Sequence, residues 1–267
     1  MTNLNADALI THINLARGFR GGEAQTELLI RALTERGIRQ RLVARSAEPL
    51  IVRTADLANL ERLPVSGLWE AQRALRGATL VHAHEGRCIQ AAGFAHWLRG
   101  TPFIITRREV KPYKRRWSDR IYRRAAARVG LSRAIATELA ERAGIDDAHI
   151  IPSAFTPRTA SQEKAGQLRR QWGGGPVIGH VGALVQAHKG QDLLLVVARR
   201  RPGWQFVFVG DGKDEAMLKA QAAGLANVWF TGRVDDVASH LAAFDVFAFP
   251  SRHEGLGSTL LDALYQQ

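Results

Sequence analysis

Apolar positions along the chain fall into short, β-branched runs separated by longer amphipathic stretches. In the first half the runs predict strands at 8–15, 40–45, 79–84, 102–106, 128–132 and 149–152, with helices at 23–36, 88–99 and 133–143. In the second half they predict strands at 177–181, 205–209, 227–231 and 245–249, with helices at 190–200, 214–224 and 236–243. Alternation of this kind predicts parallel sheets built from βαβ units. Runs as apolar as Phe206-Val207-Phe208-Val209 imply strands buried on both faces. Residues 153–175 hold Pro157, many polar side chains and Gly173-Gly174-Gly175, which reads as a linker with a short helix at 162–172. The expectation is an α/β chain of two Rossmann-like parallel-sheet domains, 1–160 and 175–267. Ligands of such sheets bind beyond the carboxyl ends of the strands, and two sheets facing each other make a cleft.

Composition adds little to this, but charge does. The chain of 267 residues is 46% hydrophobic, and Cys88 is its only cysteine, so no internal disulfide forms and a reducing compartment is expected. No charged-then-apolar leader opens the sequence and no apolar run approaches about 18 residues, which predicts a soluble or peripheral protein. Residues 1–150 carry 25 Lys/Arg against 15 Asp/Glu, while the remainder carries 12 against 10. The basic first half should meet something anionic. Residues 107–128 alone hold ten Lys/Arg against Glu109 and Asp119. There Trp117, Ile121, Ala125 and Val129 recur every four residues, with Tyr122 beside them. This predicts an apolar stripe flanked by guanidinium groups, suited to an anionic membrane surface. The alternative is a helix packed on its own sheet with a solvated basic face. Nucleic acid is set aside, because no reader motif accompanies the charge.

The candidate chemistry concentrates near the C-terminus, at Pro250-Ser251-Arg252-His253-Glu254-Gly255-Leu256-Gly257, with Asp262 a little further on. An apolar strand leads into this turn and a helix follows it. Glu254 in the turn and Asp262 along the helix suit a ligand with two hydroxyl-rich ends, since carboxylates accept from vicinal hydroxyls. The helix N-terminus beside them offers free N–H groups to a phosphate. In the first half, Arg20-Gly21-Gly22-Glu23 opens a helix without the spacing of a Walker loop, which excludes a nucleotide triphosphatase of that type. His82 and His84 lie two apart and face one side of a strand, but no third ligand stands out, so no metal is expected.

The turn and helix resemble the acidic pair of the retaining, nucleotide-sugar-dependent group 1 glycosyltransferases of the GT-B fold, in which two Glu are separated by seven residues. Asp262 stands here for the second Glu. The resemblance covers almost the whole chain and is strongest from Val177 to Asp262. It implies that Glu254 holds donor-sugar hydroxyls, that Asp262 holds the ribose, and that Gly255, Leu256 and Gly257 line the donor. Val177-Ile178-Gly179-His180-Val181-Gly182 with His188-Lys189-Gly190 is similar to the family's first strand and Lys-Gly loop of this domain. It implies that Gly182 and Lys189 meet the diphosphate. Ala183 replaces the family's usual arginine. Gly210, in Phe208-Val209-Gly210-Asp211-Gly212, resembles the next nucleotide loop, and Arg233 falls at the rim of the nucleobase segment. Gly21 and Gly22 resemble the loop that closes over the diphosphate. His84 resembles a cleft residue, and Arg107 falls near the place where many relatives carry a His against the reacting sugar.

The implied activity is retaining transfer of a sugar, from a UDP-linked donor, to an anionic glycan or glycolipid, with lipopolysaccharide core as the acceptor class. The implied place is cytoplasmic, peripheral on the inner face of the inner membrane. Relatives run on for several elements past the acidic helix, so a C-terminally truncated second domain is expected, weak in activity and prone to associate. Two other readings stay open: an epimerase or phosphorylase of the same fold, and a non-catalytic membrane- or nucleic-acid-binding module.

Overall fold

The computed structural model describes residues 7–109, 116–252 and 254–266. It divides into two compact units, Met1–Ala154 and Phe155–Gln267. In the first unit the elements run β1 (Ile10–Asn14), α1 (Gly21–Glu35), β2 (Gln40–Arg45), α2 (Pro49–Arg53), β3 (Leu60–Val65), α3 (Leu68–Ala74), β4 (Leu80–Ala83), α4 (Gly86–Arg99), β5 (Phe103–Arg107), α5 (Arg116–Arg124), β6 (Ala127–Gly130), α6 (Arg133–Ala143) and β7 (His149–Ile150). In the second they run α7 (Gln162–Trp172), β8 (Val177–Val181), α8 (Gln186–Lys189), α9 (Gln191–Arg200), β9 (Gln205–Val209), α10 (Glu215–Gln221), β10 (Val228–Gly232), α11 (Val237–Ala242), β11 (Val246–Phe247) and α12 (Ser258–Tyr265).

The strands of the first unit order as β3-β2-β1-β4-β5-β6-β7, and every pairing is parallel. The chain therefore winds outward from β1 to β3, then returns to the other side of β1. That reversal opens a crevice between the carboxyl ends of β1 and β4, where open parallel sheets take their ligands. The second sheet, β10-β9-β8-β11, is parallel too and reverses between β8 and β11. Burial follows the expected reason for such strands. All five residues of β1 and all five of β8 are buried, as helices on both faces require. In the second unit Val177, Val181, Val207 and Val209 pack on one side of the sheet with Trp172 and Leu241. Ile178, Phe206 and Phe208 pack on the other side with Leu184, Leu195 and Leu218.

One strand escaped the sequence pattern. β3 reads Leu-Glu-Arg-Leu-Pro-Val, and its charges and Pro64 hide it. It is tolerated because β3 is an edge strand, where a missing N–H costs the ladder nothing. A second expectation needs correction. α5 ends at Arg124 and Val129 belongs to β6, so the stripe read through residues 117–129 is not one helical face. Ile121, Tyr122 and Ala125 are buried against the unit's own core. Gly93 of α4 permits this, since a Cβ there would come within 2.7 Å of Ile121 Cγ2. Several of the ten basic residues are used internally. Arg128 donates to the carbonyls of Tyr122, Arg123 and Ala125 and pairs with Asp147, while Arg123 donates to Ala143 O. Such bonds satisfy carbonyls left open at the ends of α5 and α6. Lys111, Lys114 and Arg115 of the same stretch lie outside the described residues.

Candidate functional site

At the reversal of the second sheet two loops interlock. One leaves β8 through Gly182 into α8; the other follows β11 through Pro250. Gly190 sits between them with φ +67°, and a Cβ there would stand 2.3 Å from Pro250 O. Only glycine allows both the left-handed backbone and that approach. Arg252 then fastens the second loop to the first. Its N–H donates to His188 O at 2.7 Å, Nη1 to Gln186 O at 2.9 Å, and its guanidinium forms a two-pronged pair with Asp192 at 2.8 Å on each side. This planar fork fixes orientation as well as distance. The contact holds Asp192 below the usual carboxylate range, through the Arg252 hydrogen bond.

Within this frame Lys189 Nζ donates to Glu254 Oε1. Gly182 lies under the lysine stem, with room for a Cβ only 3.7 Å from Lys189 Cε. Gly182, Lys189 and Glu254 are thus gathered at one place, on loops that follow two adjacent strands. His253 lies outside the described residues. Gly255 and Leu256 are half-buried in the turn, and Gly257 caps α12. Asp262 lies within that helix, half-buried; burial pushes its carboxyl up, and the charge of Arg158 opposes the shift. Among the described residues Asp262 makes no hydrogen bond or ion pair, which leaves its acceptor oxygens open. Gly210, with φ +131°, and Gly212 serve the neighbouring loop. Cβ atoms there would fall 2.2 Å from Gly182 O and 2.4 Å from Leu184 O. The backbone that these glycines admit is therefore that of the Gly182 loop itself. Arg233 follows edge strand β10 and is exposed.

Sequence reasoning missed a third histidine in the first unit. Parallel register pairs His12 with His82 across β1 and β4, and Ile10 with Gln40 across β1 and β2. His12, Gln40, His82, His84 and Thr106 consequently share one face of the sheet. The signal was the register, which periodicity alone does not give. Ligand nitrogens of His12, His82 and His84 lie within 4.8 Å of one another, a spacing that could hold a metal. The hydrogen bonds direct them otherwise. Gln40 Nε2 donates to Ile30 O and Thr34 Oγ1, so its Oε1 accepts from His12 Nε2 at 3.0 Å. His12 Nδ1, bare in the neutral ring, accepts from His84 Nε2 at 3.0 Å. His84 Nδ1 then accepts from Arg108 Nη2 at 3.1 Å. A metal on His84 Nε2 would put a proton on Nδ1, facing a guanidinium donor. Metal-bound histidines need an acceptor in that second position, and this one has a donor. The trio does not suit a cation. Burial lowers His12 to about 4 and His82 to about 3, and carries His84 well down, so all three rings are neutral.

Arg108 Nη1 also donates to the carbonyl of Gly22, the second residue of α1, and a Cβ at Gly22 would stand 3.8 Å from Arg108 Cδ. Gly21 is the first residue of that helix, and Glu23 Oε2 accepts from Arg20 N at 2.9 Å, which satisfies the N–H of the residue before the helix. Glu85 in the His84-Glu85-Gly86 segment is likewise a cap, accepting from Arg87 N at 3.0 Å. Arg107, expected near the reacting sugar, is enclosed. Its guanidinium meets Glu138 at 2.7 Å and Tyr122 Oη at 3.4 Å, and its Nε donates to Glu109 O. The side chain that reaches the glycine loop is Arg108, one residue on.

Two doubly wound parallel units with loops gathered at their switch points give the chain the architecture of the GT-B fold. HepE of Anabaena, solved in complex with UDP-glucose, has this fold with a TM-score of 0.82 over 97% of this chain and 78% of its own, at 18% identity. Residues 19–157 match the model of Glycosyltransferase Family 4, and residues 175–267 match that of Glycosyl transferases group 1. The chain belongs to this group 1 and family 4 lineage of glycosyltransferases. It is 28% identical to the 2-deoxystreptamine glucosyltransferase of Streptomyces kanamyceticus, over 91% of this chain and 78% of the relative. It is 36% identical to the lipopolysaccharide core biosynthesis glycosyltransferase LpsE of Rhizobium meliloti, over 34% and 27%.

Proposed function

We propose that the chain transfers a sugar from a UDP-linked donor to an anionic glycan or glycolipid of lipopolysaccharide-core type, with retention of anomeric configuration. The observation that carries this reading is the Lys189–Glu254 pair beside Gly182, at the reversal of the second sheet. Glu254 accepts from donor-sugar hydroxyls, and Asp262, open on its oxygens, accepts from the ribose. Lys189 exchanges its carboxylate partner for the donor's diphosphate and stabilises charge on the leaving group. In the first unit Arg108 supplies the positive charge beside Gly21 and Gly22, and His84 orients it; Arg107 holds the surrounding fold. The LpsE relationship and the basic first half favour the acceptor class. The test is incubation of the purified chain with UDP-sugars and core oligosaccharide, with NMR of the product's anomeric proton. Product of unchanged configuration supports the reading. Turnover without acceptor favours an epimerase. Absence of UDP binding in calorimetry favours a non-catalytic module.

We also propose peripheral contact with an anionic membrane, on the cytoplasmic side of the inner membrane. Among the described residues no helix is long and apolar enough to cross one. The supporting surface differs from the one read in the sequence. α4 packs between α3 and α5, and these helices expose Trp69 (80%), Trp97 (69%) and Trp117 (62%). Arg73, Arg76, Arg99, Arg120 and Arg124 are exposed among them. Tryptophan fits the headgroup boundary, and each arginine there adds about 1 kcal/mol toward anionic lipid. Co-sedimentation with liposomes should rise with anionic lipid, fall with salt, and drop in Trp97→Ser. Equal binding to neutral vesicles would refute the electrostatic part.

A further inference from the structure

The geometry points to Gln40 and His12 as positioning residues that hold Arg108 against the glycine loop, through a chain of hydrogen bonds with a single direction. Gln40 sets the direction. Its amide N–H groups are taken by Ile30 O at 3.1 Å and Thr34 Oγ1 at 3.0 Å, so only its oxygen can face the rings. From there each step is fixed by the last. His12 must carry its proton on Nε2 and present a bare Nδ1. His84 must carry its proton on Nε2 to meet it, and so presents a bare Nδ1 to Arg108. The final link, Arg108 to Gly22 O, reaches the first turn of α1. Four side chains, on β1, β2 and the loops after β4 and β5, thereby tie the core of the sheet to that turn.

The chemistry of the last acceptor decides what the relay accomplishes. Arg107 and Arg108 are neighbours, yet one faces a carboxylate and the other does not. Arg107 meets Glu138, which cancels its charge. Arg108 meets a neutral imidazole and a peptide carbonyl, which fix its plane and leave its charge uncompensated in contact. Burial brings its guanidinium down to about 10, and Glu23, acting through space, opposes that shift. Nε of Arg108 is also buried and has no hydrogen-bond partner among the described residues. A guanidinium anchored by two neutral acceptors is oriented in advance, with charge kept for an anionic ligand. A carboxylate in place of His84 would hold it equally well and neutralise it.

The kinetic arm of the test rests on the transferase reading; the spectroscopic arm does not. In long-range nitrogen–proton NMR of the intact chain, His12 and His84 should both appear as neutral Nε2–H tautomers at pH 7. A proton on Nδ1 of either ring, or a charged ring, overturns the proposal whether or not the chain transfers sugar. Gln40→Leu should release the His12 tautomer. It should also lower kcat by on the order of tenfold to a hundredfold, through misplacement of Arg108, with little change in donor KM. In the Arg108→Ala background, the same Gln40→Leu change should have no further effect, because Gln40 acts through Arg108. Multiplied losses in the double variant would show that Gln40 merely supports the fold. Should Gln40→Leu fail to accumulate as folded protein, the tautomers of the unaltered chain still decide the matter.

Discussion

Glu254→Gln is expected to lower sugar transfer on the order of a thousandfold while leaving the second unit folded. The amide keeps the shape of the side chain and loses the charge. It accepts more weakly from donor-sugar hydroxyls and no longer balances Lys189. Losses of about a hundredfold to a thousandfold accompany removal of one preorganised electrostatic contact to the reacting centre. Stability should hold, because the side chains of the Lys189–Glu254 pair are 21% and 26% exposed, so water reaches both, and the amide oxygen still accepts from Lys189. Transfer rate and urea unfolding measured on the same preparation check both halves. Retention of near-full transfer by Glu254→Gln would remove Glu254 from the donor site.

Arg107→Leu should have the opposite profile. The Arg107–Glu138 pair is nearly enclosed, with 7% and 12% of the two side chains exposed. Removing the cation leaves a carboxylate buried without its main partner, at a cost of about 3–5 kcal/mol. The unfolding transition of the first unit should move to lower urea, and the second unit's transition should stay in place. Protein that remains folded should keep most of its transfer activity. A variant of unchanged stability that cannot transfer sugar would return Arg107 to the reaction centre, where the family resemblance had placed it.

The two arginines show where sequence legibility ended. β5 was readable from its apolar run, and the strand's end was close to where it was expected. Which of Arg107 and Arg108 points to the glycine loop depends on strand parity and on Glu138, thirty-one positions away in sequence. The same limit hid His12. His82 and His84 advertised a shared face by their spacing of two, while their companion lay seventy residues earlier and met them only through parallel register. In the second unit more was legible, because Gly182, Lys189, Gly190 and Glu254 sit in short motifs whose glycines have local reasons to be there. Even so, Gly210 and Gly212 were read for their approach to a ligand, whereas their immediate neighbour is another loop's backbone. Edge strand β3 was lost to the pattern, because a strand paired on one side can carry Glu61, Arg62 and Pro64 without penalty. Helix α5 was lengthened in the reading because Val129 happened to continue a four-residue rhythm that the turn after Arg124 interrupts.

The clamp between Arg252 and Asp192 bears on attempts to retarget such an enzyme. The loops 182–192 and 250–257, proposed above to take the donor, are not segments that can be exchanged one at a time. Only glycine at 190 leaves room for the Pro250 backbone, and Arg252 meets Gln186, His188 and Asp192 together. A donor-specificity graft from a relative therefore has to move as a two-part cassette, both loops from the same parent. Chimaeras that split the pair inherit an arginine without its fork or a glycine without its neighbour, and library design gains by treating the two segments as one gene block.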